Sequence, residues 1–217
     1  MPLLKVCGIT RADDAAAACK LGYDAIGMIF ADSKRRVSPE QARDISRSLP
    51  ASIMRVGVFV NQDGGEIRKL MEYCRLDLVQ LHGEESPEEV ASFGAKAIKA
   101  LRPRSLDELT MLEAYPNVFA ILLDTWDEAL RGGTGKTCDW ELARSASEKR
   151  RIILAGGLSP SNVEQAIAQV RPFGVDVCSG VEFSPKIKDR EMIREFARKA
   201  RAGFSSSHYR EADHAEA

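Results

Sequence analysis

Eight short apolar runs recur along the chain, each closed by turn residues and followed by a helical pattern. They are Leu3–Cys7, Ala25–Phe30, Ile53–Val60, Asp77–His82, Ala97–Leu101, Phe119–Asp124, Ile152–Ala155 and Val175–Ser179. The runs are near-continuous instead of cleanly alternating, as strands of a parallel sheet covered by helices require. Strand-then-helix units of roughly 25 residues, eight in all, fill about 200 residues, the size of a closed (β/α)8 barrel. An open doubly wound sheet also uses alternating elements, but eight units with nothing left over favour closure. No Pro- or Ser-rich linker divides the chain, so one barrel domain is expected over 1–201. The remaining stretch, 202–217, lacks periodicity and is expected to be a disordered tail.

Helix starts are well marked. Ser38-Pro39-Glu40-Gln41 and Ser86-Pro87-Glu88-Glu89 each place Ser at the N-cap, Pro at the first helical position and Gln or Glu at the third. Ser159-Pro160 repeats the opening, Ser105 with Glu108 and Thr10 with Asp13 suggest further capping boxes, and Asp139 and Asp189 read as caps. Gly22, Gly94 and Pro116 stand where helices end.

Composition narrows the function. Basic and acidic residues number 31 and 32, which gives no footprint for nucleic acid or an anionic membrane. The five cysteines are odd in number and far apart, and only three histidines exist, so neither a zinc site nor a disulfide framework is implied. No signal peptide or membrane-spanning run is evident, and the expected compartment is reducing cytoplasm.

In parallel α/β folds ligands bind at strand carboxyl ends, so side chains there carry the functional argument. Cys7 ends the first run in Lys5-Val6-Cys7-Gly8 and reads either as a small core hydrophobe or as a reactive thiol. Asp124 ends the very apolar sixth strand as a turn cap or a site carboxylate. Asp176 poses the same question more weakly, since a ring of satisfied polar residues inside the barrel also accounts for it. Arg35, in Ser33-Lys34-Arg35-Arg36, suits a substrate carboxylate or a solvated loop. His82 ends the fourth strand, packed or catalytic. Gly156-Gly157 and Ser179-Gly180 follow strands seven and eight, where barrels of this kind commonly bind phosphate through backbone N–H groups. A phosphorylated small molecule is the expected ligand.

A loop of about 14 residues after Asp124 contains Gly132-Gly133-Thr134-Gly135-Lys136-Thr137, and loops of that length are usually functional. It is not a P-loop, because Leu130 stands where the leading glycine is required. Gly133 and its neighbours are read as backbone closing over a small ligand.

Taken together, these motifs resemble phosphoribosylanthranilate isomerase. The most specific pieces are Lys5-Val6-Cys7-Gly8-Ile9-Thr10, Ser33-Lys34-Arg35, Val58-Phe59-Val60-Asn61, Val79-Gln80-Leu81-His82-Gly83, Leu123-Asp124-Thr125, Ala155-Gly156-Gly157-Leu158 and Ser179-Gly180-Val181-Glu182. The resemblance implies a cofactor-free, metal-free Amadori rearrangement in tryptophan biosynthesis, by a monomer or homodimer. It implies Cys7 as general base, Asp124 as general acid, Arg35 on the anthranilate carboxylate, and the two glycine loops on phosphate. Two positions depart from the family pattern: Cys138, where a larger apolar residue is usual, and Lys186, where glycine is usual. A ribulose-phosphate epimerase would be expected to present metal-binding histidines, and a histidine-pathway isomerase an aspartate in place of Cys7. A non-catalytic sugar-phosphate sensor would not need both Cys7 and Asp124.

The implied chemistry sets one electrostatic requirement. An ordinary thiol is only about 3% thiolate at neutral pH, so Cys7 needs a positive neighbour. Lys5, two residues back on the same strand, shares its side and is expected to favour the thiolate. A Cys7 thiolate would in turn raise Asp124, coupling the two groups through one shared proton.

Overall fold

A computed structural model describes residues 2–124 and 140–206. Eight parallel strands close on themselves: β1 (Leu3–Val6), β2 (Ala25–Ile29), β3 (Met54–Phe59), β4 (Leu78–Leu81), β5 (Ala97–Leu101), β6 (Ala120–Asp124), β7 (Ile152–Ala155) and β8 (Gly174–Val177). β8 returns to β1 in the register Leu3↔Gly174, Lys5↔Asp176, Val6↔Val177. The fold is the (β/α)8 barrel that the eight runs predict.

Alternation along each strand divides the core in two. Leu3, Val56, Leu78, Ile98, Ala120, Leu122 and Ile153 form a small cluster filling the barrel. Leu4, Val6, Ile26, Met28, Val79, Ile121 and Leu154 belong to the larger cluster between sheet and helices. The inward parity carries on to the carboxyl ends. Leu3-Lys5-Cys7, Leu78-Gln80-His82, Ile98-Ala100-Arg102, Ala120-Leu122-Asp124 and Gly174-Asp176-Cys178 each start in packing and finish in chemistry. The strands thus deliver polar ends to a single mouth because period 2 and parallel direction leave them no other place.

The outer helices are α1 (Ala12–Lys20), α2 (Pro39–Arg47), α3 (Gly64–Cys74), α4 (Pro87–Ala91), α5 (Trp140–Ser147), α6 (Val163–Val170) and α7 (Arg190–Ser205), and none among the described residues is long and apolar enough to cross a membrane. Ser38 and Ser86 close complete capping boxes on α2 and α4, and Asp189 caps α7; each such cap is worth about 1 kcal/mol.

Three expected caps are otherwise employed. The N-cap of α1 is Arg11, and the Thr10 hydroxyl instead donates to the Lys186 carbonyl over 2.8 Å. Ser105 caps nothing: the fifth connection is a 3₁₀ segment, Asp107–Ala114, whose Glu108 accepts from the Arg104 backbone N–H. Ser159 opens a turn closed by Asn162, and α6 begins at Val163. Asp139 lies outside the described residues. α7 runs to Ser205, four residues beyond the expected domain edge at 201, because buried Gly203 and partly buried Phe204 pack that last turn against the core.

Candidate active site

A cavity of about 310 Å³ opens at the carboxyl mouth of the barrel. Cys7, His82, Asp124 and Asp176 line it from four different strands, together with Gly156, Gly157, Ser179 and Gly180 from the loops after β7 and β8. Arg35 is not part of the lining, and Gly133 lies outside the described residues.

Cys7 is buried, its backbone N–H donating to the Val177 carbonyl over 2.8 Å. Gly27 makes room for it: a Cβ there would stand 2.7 Å from Cys7 Sγ and 3.2 Å from Lys5 Nζ. Thiol and ammonium therefore share one small space. The Cys7 thiol is held well below its ordinary range chiefly by the hydrogen bond from Cys178, which with Lys5, Lys188 and His82 outweighs the opposing effect of burial. Lys5 contributes as expected, but the principal partner is a second thiol. Cys178 is pushed up by the same contact and by burial.

Lys5 Nζ donates to Asp176 Oδ2 over 2.8 Å, both groups being buried. Asp176 Oδ1 has no partner among the described residues. The satisfied polar ring considered for Asp176 is therefore only half satisfied. Burial pushes its carboxyl up to about 7, against the pull of Lys5.

Across the mouth, Asp124 Oδ2 lies 3.3 Å from His82 Nε2 and accepts from Arg102 Nη2 over 2.9 Å. Arg102 Nη2 is also 2.9 Å from His82 Nε2, while Gln80 Nε2 meets His82 Nδ1 at 2.8 Å. Burial works to raise the Asp124 carboxyl, but His82 and Arg102 prevail and hold it below the usual value. The expected single proton shared between Cys7 and Asp124 gives way to two local arrangements: Cys7 is set by Cys178 and Lys5, and Asp124 by His82 and Arg102.

Arg35 forms a two-pronged pair with Glu182, Nε to Oε1 at 2.7 Å and Nη2 to Oε2 at 2.6 Å. Lys188 Nζ holds the same carboxylate at 2.9 Å. Gly180 sits where the last two loops cross, and a Cβ there would run into the Leu158 carbonyl oxygen. Lys186 adopts φ +77°, the left-handed region that explains why glycine suits that position. Among the described residues, no group of three or more His, Cys, Asp or Glu side chains is placed to hold a metal ion.

Residues 4–199 match the family model for N-(5'-phosphoribosyl)anthranilate (PRA) isomerase. The chain belongs to the phosphoribosylanthranilate isomerase family. The isomerase of Pelobacter propionicus is 47% identical over 205 residues, covering 94% of this chain and 98% of its own. That of Rubrobacter xylanophilus is 45% identical over 93% of this chain and all of its own. The crystal structure of phosphoribosyl anthranilate isomerase from Thermotoga maritima superposes with a TM-score of 0.86 at 42% identity, covering 93% of this chain and 100% of that one. A phosphoribosyl anthranilate isomerase solved in complex with reduced 1-(o-carboxyphenylamino)-1-deoxyribulose 5-phosphate gives 0.83 at 40% identity, with the same coverage of both chains.

At this cavity four contributors receive no role from the sequence, Arg102, Gln80, Cys178 and Glu182, although Gln80 and Glu182 stand inside motifs that carry the family resemblance. Counting two residues onward from the inward positions of β5 and β8 would have found Arg102 and Cys178. The Arg35–Glu182 pair spans 147 residues of sequence and left no local signal.

Proposed function

We propose that the chain converts N-(5-phospho-β-D-ribosyl)anthranilate to 1-(2-carboxyphenylamino)-1-deoxy-D-ribulose 5-phosphate by general acid and base catalysis, without a cofactor, in the cytoplasm. The reading is carried by Cys7 and Asp124, from strands 117 residues apart, opening into one cavity.

Ring opening needs a proton on the ribose ring oxygen, and Asp124 is assigned to deliver it. Its carboxyl must rise from its present range to do so. Substrate entry supplies two causes: it excludes water from the carboxylate, and it displaces the largely exposed Arg102. His82 keeps the carboxyl oriented and contacts the substrate. Cys7, already favoured as thiolate, then removes the C2′ proton of the iminium. The resulting enolamine goes on to the ketone. Each group contributes about 10²–10⁴-fold.

Binding follows from the remaining groups. The contacts to Glu182 use the Nε and Nη2 side of Arg35, which leaves the other edge of the fork to receive the anthranilate carboxylate. Asp176, which lines the cavity and whose Oδ1 has no partner among the described residues, accepts from a ribose hydroxyl. Gly156, Gly157, Ser179 and Gly180 present backbone N–H groups to the phosphate, and Gly133 closes over the ligand. The working form is a monomer or homodimer, a reading supported by the Thermotoga maritima isomerase, solved as monomers generated from a dimeric enzyme, which shares the fold with a TM-score of 0.81.

The test is direct: mix the protein with freshly formed phosphoribosylanthranilate and follow the loss of anthranilate-type fluorescence. Turnover is expected, with Cys7→Ser and Asp124→Asn each lowering kcat by about 10²–10⁴-fold while substrate still binds. Ligand binding without turnover, or near-normal kcat in Cys7→Ser, overturns the assignment.

A further inference from the structure

Cys7 does not stand alone. The β1–β8 register pairs Lys5 with Asp176 and Val6 with Val177, and the Cys7 N–H to Val177 carbonyl bond closes that last rung, so Cys7 and Cys178 are the next residue on each strand. The rung below confirms that inward side chains on this register touch, since Lys5 and Asp176 meet at 2.8 Å. Each thiol also shifts the other, Cys7 downward and Cys178 upward. A Cβ on neighbouring Gly8 would stand 3.0 Å from Cys178 Sγ. Adjacent strands run about 4.8 Å apart, within the roughly 4.4–6.8 Å Cα separation that a disulfide spans. Both cysteines line the open cavity, so a small solute reaches them by the substrate's own route.

We propose that Cys7 and Cys178 form a reversible oxidation site, closing into a disulfide when the empty cavity admits a hydroperoxide. The Cys7 thiolate attacks one peroxide oxygen, the O–O bond breaks, and hydroxide or alkoxide leaves, which oxidises Cys7 to a sulfenic acid. The Cys178 sulfur then attacks the Cys7 sulfur; an S–S bond forms, the S–O bond breaks, and water departs with the Cys178 proton. Two thiols lose two electrons and two protons, and hydrogen peroxide becomes two waters. Lys5 and Lys188, the latter bonded to the Cys178 carbonyl at 2.9 Å, favour the initial thiolate. The bridge removes the group assigned as base, yet it also shields that sulfur from irreversible oxidation. Substrate in the cavity blocks peroxide and protects the pair.

This inference rests on the proposed role of Cys7 only for its effect on turnover; the crosslink is read independently. The full chain is treated with hydrogen peroxide, free thiols are capped with iodoacetamide, and unreduced peptides are mapped by mass spectrometry. A peptide pair joined through Cys7 and Cys178 is expected. Turnover falls by about 10²-fold or more in the crosslinked fraction and returns on treatment with dithiothreitol. In Cys178→Ser, measured against its own untreated activity, no crosslink forms and the loss resists dithiothreitol as Cys7 passes to sulfinic acid. Sulfinic Cys7 in the unsubstituted chain without the Cys7–Cys178 crosslink overturns the proposal. So does pairing of Cys7 with Cys19, Cys74 or Cys138. If the chain proves not to be an isomerase, the peptide map alone decides.

Discussion

Of the buried lysines among the described residues, Lys5 and Lys99 lie on barrel strands, and their carboxylate partners are treated in opposite ways. Lys99, on the outward parity of β5 between Ile98 and Ala100, donates to Glu85 Oε2 and to the Gly83 carbonyl, each over 2.6 Å. Glu85 also accepts from the backbone N–H groups of Asn61 and Gly83, so both its oxygens are occupied. Burial works to raise its carboxyl, but Lys99 and the backbone N–H groups of Asn61 and Glu85 outweigh it and the group stays below its usual value. Lys5, on the inward parity of β1, satisfies only one oxygen of Asp176, whose carboxyl is pushed up to about 7 by burial. The satisfied pair holds the loop after β4 against the barrel wall. The half-satisfied pair borders the cavity, and Asp176 Oδ1 has no partner among the described residues. A buried charge is structural when its neighbours exhaust it and available for function when they do not.

The largest expected effect that tests this contrast is on stability. Lys99→Met strands an ionised Glu85 and should lower the unfolding free energy by about 3–5 kcal/mol, measured by urea denaturation. Lys5→Met should cost less, because Asp176 readily takes up a proton once its partner is gone. Equal losses would remove the distinction. The same Lys5→Met change should raise the pH at which iodoacetamide alkylates Cys7, and an unchanged profile would exclude Lys5 from tuning the thiol.

The pairs also predict separate pH windows. Glu85, lowered on folding, contributes stability that is present above its unfolded value near 4.3 and lost as pH falls through its folded value. Asp176, raised on folding, binds its proton more tightly in the native state. Its contribution therefore declines as pH rises from about 4, its unfolded value, toward about 7. Glu85→Gln should flatten the acid limb of stability against pH, and Asp176→Asn the stretch between pH 4 and 7. A change in the wrong window would mean that the two carboxylates had been assigned each other's roles. The smallest effect serves as a control. Lys186→Gly relieves a left-handed backbone and should stabilise the fold by about 1 kcal/mol, shifting both limbs equally.

The sequence by itself determined the barrel. Eight apolar runs with Ser-Pro and Asp caps between them encode strand, turn and helix through local periodicity and hydrogen bonding. The inward parity of each strand then follows, so Cys7, His82, Asp124 and Asp176 were legible as residues of one mouth. The glycine loops were legible for a related reason, since only glycine fits where Gly180 crosses Leu158.

What neighbours each of those groups was decided only by the closed structure. Cys178 reaches Cys7, Arg102 reaches Asp124 and Glu182 holds Arg35 because strand closure and loop crossing bring together residues that no local pattern connects. Thr10 shows the same limit: its spacing suggested a cap, and a carbonyl 176 residues away took its hydroxyl. Periodicity fixes which way a side chain points, whereas its protonation and its partners depend on distances that exist only once the barrel has closed.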